Sequence, residues 1–382
     1  MRACLQMLPS RHHAVVAGTP DDEGNSVEVV RKLARRLPVY WLVTDDSATL
    51  EWLLSGVDGA ETVRCLPKYS VRAFWAYATA RYVFFTHGLY GSPYPPRNKT
   101  SVNLWHGDGP KRRNQFARIR STVVVSGTRL WGRYKADEFE VGQDDLLVTG
   151  NPRVDQFSRP ITDDGLRALG LDPSDGLVLW LPTFRTTDFQ GRRLGPVRNW
   201  SDAAELSNSP LVRSRLGQVA EAARSKGVTL AVKPHPLDAD RFSDTGLHIV
   251  TGADLREARV TFYQLLARAD GLITDYSSVW TDFLALDRPI GFYCPDHDDY
   301  VAARGLNVDD YFSLLPGPLL QDGNDFQAFV RECVEEPELS QARRLRSADL
   351  IGAETRLGAT ERLLDAVGIV LPHANAQELG VR

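Results

Sequence analysis

Short apolar runs alternate with amphipathic stretches along nearly the whole chain. HAVVAG, VYWLVTD, YVFFT, SVNLWH, TVVVSG and LLVTG have the length and composition of buried strands. A helix is expected over residues 26–36, between the first two of them. After SRPITDDGLRALGLDPSDG, which reads as a connection, the series resumes with LVLWLPT, TLAVKPH, GLITDY and PIGFY. Strands that alternate with helices build parallel sheets, and two such series predict an α/β chain of two Rossmann-like domains. The boundary is expected near residue 158, giving domains over 1–158 and 159–370 with a loose tail over 371–382. QARRLRSADLIGAETRLGATERLLDAVG reads as C-terminal helices.

The length of 382 residues agrees with two cores, at roughly 100–200 residues per domain. No apolar run approaches the ~18–20 residues of a membrane span, and MRACLQMLPSRHH offers too short an apolar stretch for a signal peptide. Cys4, Cys65, Cys294 and Cys333 are scattered without a CxxC pair, so a reducing, cytoplasmic location is expected.

The net charge of −4 conceals an asymmetry. From Arg64 to Lys135 there are 14 Lys or Arg and the single acid Asp108, a local balance of +13 that leaves −17 elsewhere. Aromatic residues interleave with these charges, a pattern suited to a membrane interface or a nucleic acid. Val71, Phe74, Trp75, Ala78 and Tyr82 follow helical spacing, with Lys68, Arg72 and Thr79 turned elsewhere. The simplest reading of that stripe is a core-facing helix side with a solvated charged side.

Ligands of open α/β sheets bind outside the carboxyl ends of the strands. The unusual polar residues of this chain fall there: His106 and Lys111 in SVNLWHGDGPKRR, Arg153 and Asp155 in LLVTGNPRVDQF, Thr183 and Arg185 in LVLWLPTFR, Lys233 and His235 in TLAVKPHPL, and Asp275, Ser277 and Ser278 in GLITDYSSVWTDF. Singly, each has a structural reading, since two serines opening a helix are first of all an N-cap. Their convergence at five strand ends supplies donors suited to phosphate. Asp282 lies further down the helix that follows the two serines. No GxGxxG, GxxxxGK[ST], zinc-ligand spacing or GxSxG elbow is present, so neither a metal site nor a cofactor is implied.

In this order the clusters resemble the CDP-glycerol glycerophosphotransferase family, the teichoic-acid primases and polymerases. The resembling stretches are WHG-x-x-x-K at Trp105 to Lys111, GNPRVD at Gly150 to Asp155, PTFR at Pro182 to Arg185, KPHPL at Lys233 to Leu237 and DYSSVWTDFLALDRPIGFY at Asp275 to Tyr293. Lys233 stands where family members usually carry Arg, and Asp108-Gly109-Pro110 where Thr-Pro-Leu commonly follows WHG. The resemblance implies a GT-B architecture, with two Rossmann-like domains facing across a cleft and a C-terminal helix crossing back. It implies a CDP-glycerol or related CDP-alditol donor held by the C-terminal domain. The acceptor would be a lipid-linked saccharide or polyol phosphate, met by the N-terminal domain at the inner face of the membrane.

The expected reaction is attack of an acceptor hydroxyl on the alditol-linked phosphorus, with departure of CMP. A hydroxyl benefits from a base, and His106 is assigned that role, with His235 as the second catalytic histidine. Thr183, Arg185, Lys233, Asp275, Ser277, Ser278 and Asp282 are assigned to the donor and its phosphates. Lys111, Arg153 and Asp155 are assigned to the acceptor or to support, with Arg153 and Asp155 equally readable as a tie between domains. Rival readings are a CDP-ribitol transferase, another nucleotide-sugar GT-B enzyme, or a non-catalytic polyanion-binding protein. Nucleic acid is not an expected partner, whereas docking on anionic lipid through the basic stretch is.

Overall fold

The computed structural model describes residues 8–44, 47–112, 119–183, 219–234 and 246–370, together with 217 and 242. Two parallel sheets carry the fold. The first has seven strands, β1 (Arg11–Ala17), β2 (Val39–Val43), β3 (Val63–Pro67), β4 (Ala80–Phe85), β5 (Thr100–Asn103), β6 (Val123–Ser126) and β7 (Leu146–Val148). Their order is β3-β2-β1-β4-β5-β6-β7. The second has five, β8 (Gly176–Trp180), β9 (Val228–Val232), β10 (His248–Ile249), β11 (Gly271–Thr274) and β12 (Ile290–Phe292), in the order β10-β9-β8-β11-β12. Both are doubly wound, with the direction of winding reversing at β1/β4 and at β8/β11. All ten expected strands form. β3 and β10 were not expected, because β3 is half-buried and β10 has only two residues, so neither shows a continuous apolar run.

The continuous apolar runs arise because each sheet is covered on both faces. In β1, Ala14 and Val16 enter one core with Val29, Val30 and Leu33, while Val15 and Ala17 enter another with Ala73, Ala76 and Tyr77. In β8, Leu177 and Leu179 face one core and Val178 and Trp180 the other.

The last helix, Ala359–Ala366, returns from the second sheet to the first. Its Leu363 and Leu364 are fully buried in the core formed with Val16, Val29 and Leu33. Burial of that kind contributes about 1.5–3 kcal/mol per side chain. Together with the chain connection near residue 158, this helix couples the two halves into a GT-B-like arrangement.

The helix Val71–Thr79 corrects the sequence reading. Its core side is small, built of Ala73, Ala76 and Tyr77, whereas Val71, Phe74 and Trp75 are 86%, 43% and 50% exposed. Close packing on the β1–β4 face selects alanine, leaving the larger side chains outside. Tyr82 belongs to β4, and Thr79 is buried with its hydroxyl donating to the Trp75 carbonyl at 2.9 Å. The basic segment is not wholly a surface either. Lys99 is buried and donates to the Tyr77 carbonyl, and Lys135 is buried against Asp108.

Candidate active site

The WHG loop begins at a strained residue. Trp105 has φ +51°, a conformation that bulky residues rarely adopt and that clusters at functional sites. It is held from both sides: its N–H donates to Asn103 Oδ1 at 3.1 Å, and its carbonyl accepts from Asn25 Nδ2 at 3.0 Å. His106 follows, and Arg153 Nη1 donates to its carbonyl at 2.5 Å.

The next residues explain the Asp-Gly-Pro departure. Asp108 is completely buried and pairs with Lys135, while the Ser126 hydroxyl (2.7 Å) and the Gly127 N–H donate to its Oδ2. It anchors the loop to the exit of β6. On the other side the loop lies against the second sheet. A Cβ on Gly107 would sit 2.4 Å from Ser278 Oγ, and one on Gly109 would sit 2.9 Å from Ser278 Cβ, so only glycine permits the approach. Thr281 Oγ1 donates to the Asp108 carbonyl at 3.1 Å, and Asn307 N donates to the Pro110 carbonyl at 2.7 Å. Lys111 forms an antiparallel bridge with Leu306. The His106 loop is therefore fixed by both halves of the molecule.

Within DYSS the four residues divide their work. The Asp275 carboxylate accepts the Thr183 N–H at 3.0 Å and the Thr183 hydroxyl at 2.5 Å, bracing the neighbouring exits of β8 and β11. Tyr276 is buried and stacked on Tyr300, with centroids 3.9 Å apart. Ser277 and Ser278 are left half-buried at the WHG loop. Ser278 occupies the N-cap position of the short helix Val279–Phe283, yet its hydroxyl makes no capping hydrogen bond. The N-cap expectation therefore fails for that hydroxyl, which meets Gly107 instead.

Arg153 joins the halves through Asp282. Its Nε and Nη2 donate to Asp282 Oδ2 at 2.9 and 2.6 Å, Tyr263 OH donates to the same oxygen at 2.6 Å, and Asn151 Nδ2 donates to Oδ1 at 2.8 Å. Asp282 is buried among these partners, with both carboxylate oxygens bonded inside the protein. Burial opposes the Arg153 charge, but Asp282, Tyr263 and Glu23 together more than offset it and raise the pKa. Glu23 lies beside Arg153 at 3.9 Å, and burial pushes its carboxyl up to about 7. Asp155 turns away from Arg153 and accepts the N–H groups of Gly358, Ala359 and Thr360 at 2.7, 2.8 and 2.9 Å. It caps the returning helix, so Arg153 and Asp155 each tie the halves together through different partners.

His106 is exposed, with the His87 and Trp105 rings against it. Burial, followed by His87, Arg153, Lys111 and Lys135, holds its pKa well below 6.5, so the imidazole is neutral at pH 7. Lys233, at the exit of β9, lies 5.1 Å from the Phe262 ring centre, and burial lowers its pKa. Arg185 and His235 lie outside the described residues. His87 went unremarked in the sequence, although its signal matches that of His106: a histidine and a glycine directly after an apolar strand.

The chain matches the description CDP-Glycerol:Poly(glycerophosphate) glycerophosphotransferase over residues 18–368, which takes in both sheets and the returning helix. It belongs to that family. Among the members it resembles, the teichoic acid ribitol-phosphate primase of Bacillus spizizenii is 30% identical over 253 residues, 60% of this chain and 60% of the primase. The teichoic acid poly(glycerol phosphate) polymerase of the same organism is 28% identical over 288 residues, 68% of each chain. The structure of the wall teichoic acid polymerase TagF superposes with a TM-score of 0.66 at 17% identity, covering 94% of this chain and 88% of that one. The fold is thus that of this glycerophosphotransferase family, with WHG and DYSS at the junction of its two sheets.

Proposed function

We propose that the protein transfers an alditol phosphate from a CDP-alditol to an acceptor hydroxyl. The observation that carries this reading is the contact of the His106 loop with Ser278, which brings the strand exits of both sheets to one place. The acceptor oxygen attacks the alditol-linked phosphorus and forms a phosphodiester. The bond from that phosphorus to the bridging oxygen breaks, CMP departs, and the acceptor proton passes to His106. Negative charge builds on the phosphoryl oxygens and on the leaving phosphate, where pre-placed donors are most effective. In this reading Ser277, Ser278 and Lys233 supply them, with Arg185, His235 and Lys111 assigned by their strand-end positions. Thr183 and Asp275 brace the turn from which the serines project. Glycerol and ribitol donors are both within this reading, because relatives of both kinds match at similar identity.

The test is CMP release from CDP-glycerol and CDP-ribitol, with and without a lipid-linked acceptor. A base contributes about 10²- to 10⁴-fold, so His106→Ala should lose that much turnover. Near-wild-type turnover in His106→Ala rejects it as the base, and absence of CMP release from either donor rejects the transferase reading.

The acceptor is proposed to be lipid-linked and reached at the inner membrane face. Among the described residues no helix is long and apolar enough to cross a membrane. Support for peripheral docking comes from the exposed cluster of Tyr69, Val71, Phe74 and Trp75 beside Arg64, Lys68 and Arg72. Basic residues near an anionic surface contribute about 1 kcal/mol each, and interfacial aromatics add to this. Phe74→Ser with Trp75→Ser should weaken sedimentation with phosphatidylglycerol vesicles by at least tenfold and leave the unfolding midpoint nearly unchanged. Equal sedimentation of both proteins excludes this face.

A further inference from the structure

His87 and His106 leave adjacent, hydrogen-bonded strands. Phe85 of β4 pairs with Asn103 of β5, and the two histidines lie two and three residues beyond that pair. Their rings stack with centroids 4.3 Å apart and planes 5° from parallel. Trp105 closes the cluster, 5.3 Å from the His87 ring and 4.1 Å from the His106 ring. The His87 ring is pinned at one edge, where Nδ1 lies 3.0 Å from Thr86 Oγ1, and that oxygen accepts the Thr19 N–H at 3.0 Å. Neither histidine fills a core: both are exposed, whereas Val83, Phe85 and Leu89 of the same region belong to the buried core. The stack is therefore an arrangement of the site rather than of the hydrophobic interior.

We propose that His87 is a positioning residue for the transfer reaction, its ring holding the His106 imidazole in place and shielding one face of it from water. The proposal rests on the assignment of His106 as the base. A flat ring against one face restricts rotation of the other, and a misplaced catalytic group costs on the order of 10²-fold in rate. The same ring excludes water that would solvate an imidazolium. The charged neighbours of His106 act in the same direction: Arg153 from the turn after β7, Lys111 from its own loop and Lys135 from the helix Arg129–Glu138. Lys68, at the exit of β3, does so for His87, whose pKa burial lowers to about 4. Both rings are thus neutral when the acceptor arrives, and the His106 imidazole is free to take the single proton released in the reaction.

Two substitutions separate the ring from its chemistry. His87→Ala removes the stack, and His87→Phe restores a flat ring that cannot titrate. For His87→Ala we expect a ten- to hundredfold fall in kcat with little change in KM for the donor. The acidic limb of kcat/KM should also move upward in pH, toward the ordinary histidine value near 6.5. His87→Phe should recover most of kcat and keep the limb near its wild-type position. Ring-proton NMR titration of His106, assigned with His106→Ala, reads the same shift without any acceptor. An unchanged His106 titration and unchanged kcat in His87→Ala overturn the proposal, as does a His87→Phe enzyme as impaired as His87→Ala. Full turnover in His106→Ala instead sinks the base assignment, so the two failures are told apart.

Discussion

Polar residues occupy two neighbouring regions that obey different rules. In the wall between the sheets, Arg153, Asp282, Asn151, Tyr263 and Glu23 are buried, and the Asp282 carboxylate is bonded on both oxygens. On the floor of the cleft, His87, His106, Ser277 and Ser278 reach solvent, and Ser278 makes no capping bond. Motif membership does not distinguish the two groups, because the single stretch DYSSVWTDF supplies Ser277 and Ser278 to the floor and Asp282 to the wall. What separates them is whether hydrogen-bonding capacity is already used within the protein. A spent carboxylate such as Asp282 is poorly placed to bind substrate, whereas an open imidazole or hydroxyl remains available.

This contrast predicts that floor variants lose activity at constant stability and that wall variants lose stability. The largest separation is expected for His106→Ala, which should lose about 10²- to 10⁴-fold in turnover with a denaturation midpoint close to wild type. A large fall in that midpoint would place His106 in the wall. Asp282→Ala leaves the buried Arg153 without its main partner and should cost about 3–5 kcal/mol in urea unfolding. A stable Asp282→Ala protein with selectively weakened donor binding would return Asp282 to the floor.

Glu23 tests the wall by pH. Burial raises its carboxyl from an ordinary 4.5 to about 7, so the folded protein holds that proton more tightly than the unfolded chain. Its contribution is most favourable below about pH 4.5 and declines as pH rises through 7, on the order of 3 kcal/mol in total. Glu23→Gln should remove that slope from stability measured between pH 4.5 and 7.5, and an unaltered slope would mean that Glu23 does not titrate there. The smallest effect is assigned to Asp155→Ala, which removes the cap of the returning helix and should cost about 1–2 kcal/mol. A loss of activity without that destabilisation would contradict its structural role.

The sequence revealed the strands for a simple reason: a parallel sheet covered on both faces requires unbroken apolar runs, and ten of the twelve strands among the described residues have them. It also located His106, Ser277 and Ser278, because strand ends can be read from where apolar runs stop. It left the apolar side of the helix Val71–Thr79 open between core and surface, since apolar spacing cannot tell a face packed tightly through alanines from one left outside. His87 was passed over because its partner lies 19 residues away in sequence and only strand pairing brings the two rings together.

The sequence by itself therefore determined the alternation of strands and helices, the strand-end placement of the chemistry and the family. Tertiary structure decided which of those polar residues stay available. Arg153 and Asp282 are tied to each other across 129 residues of sequence and Asp155 to Gly358 across 203, and local patterns carry no information about such pairings. It also decided the fate of the basic stretch. Asp108 is its single acid, and it lies completely buried against Lys135 because the WHG loop has to be anchored where the two sheets meet.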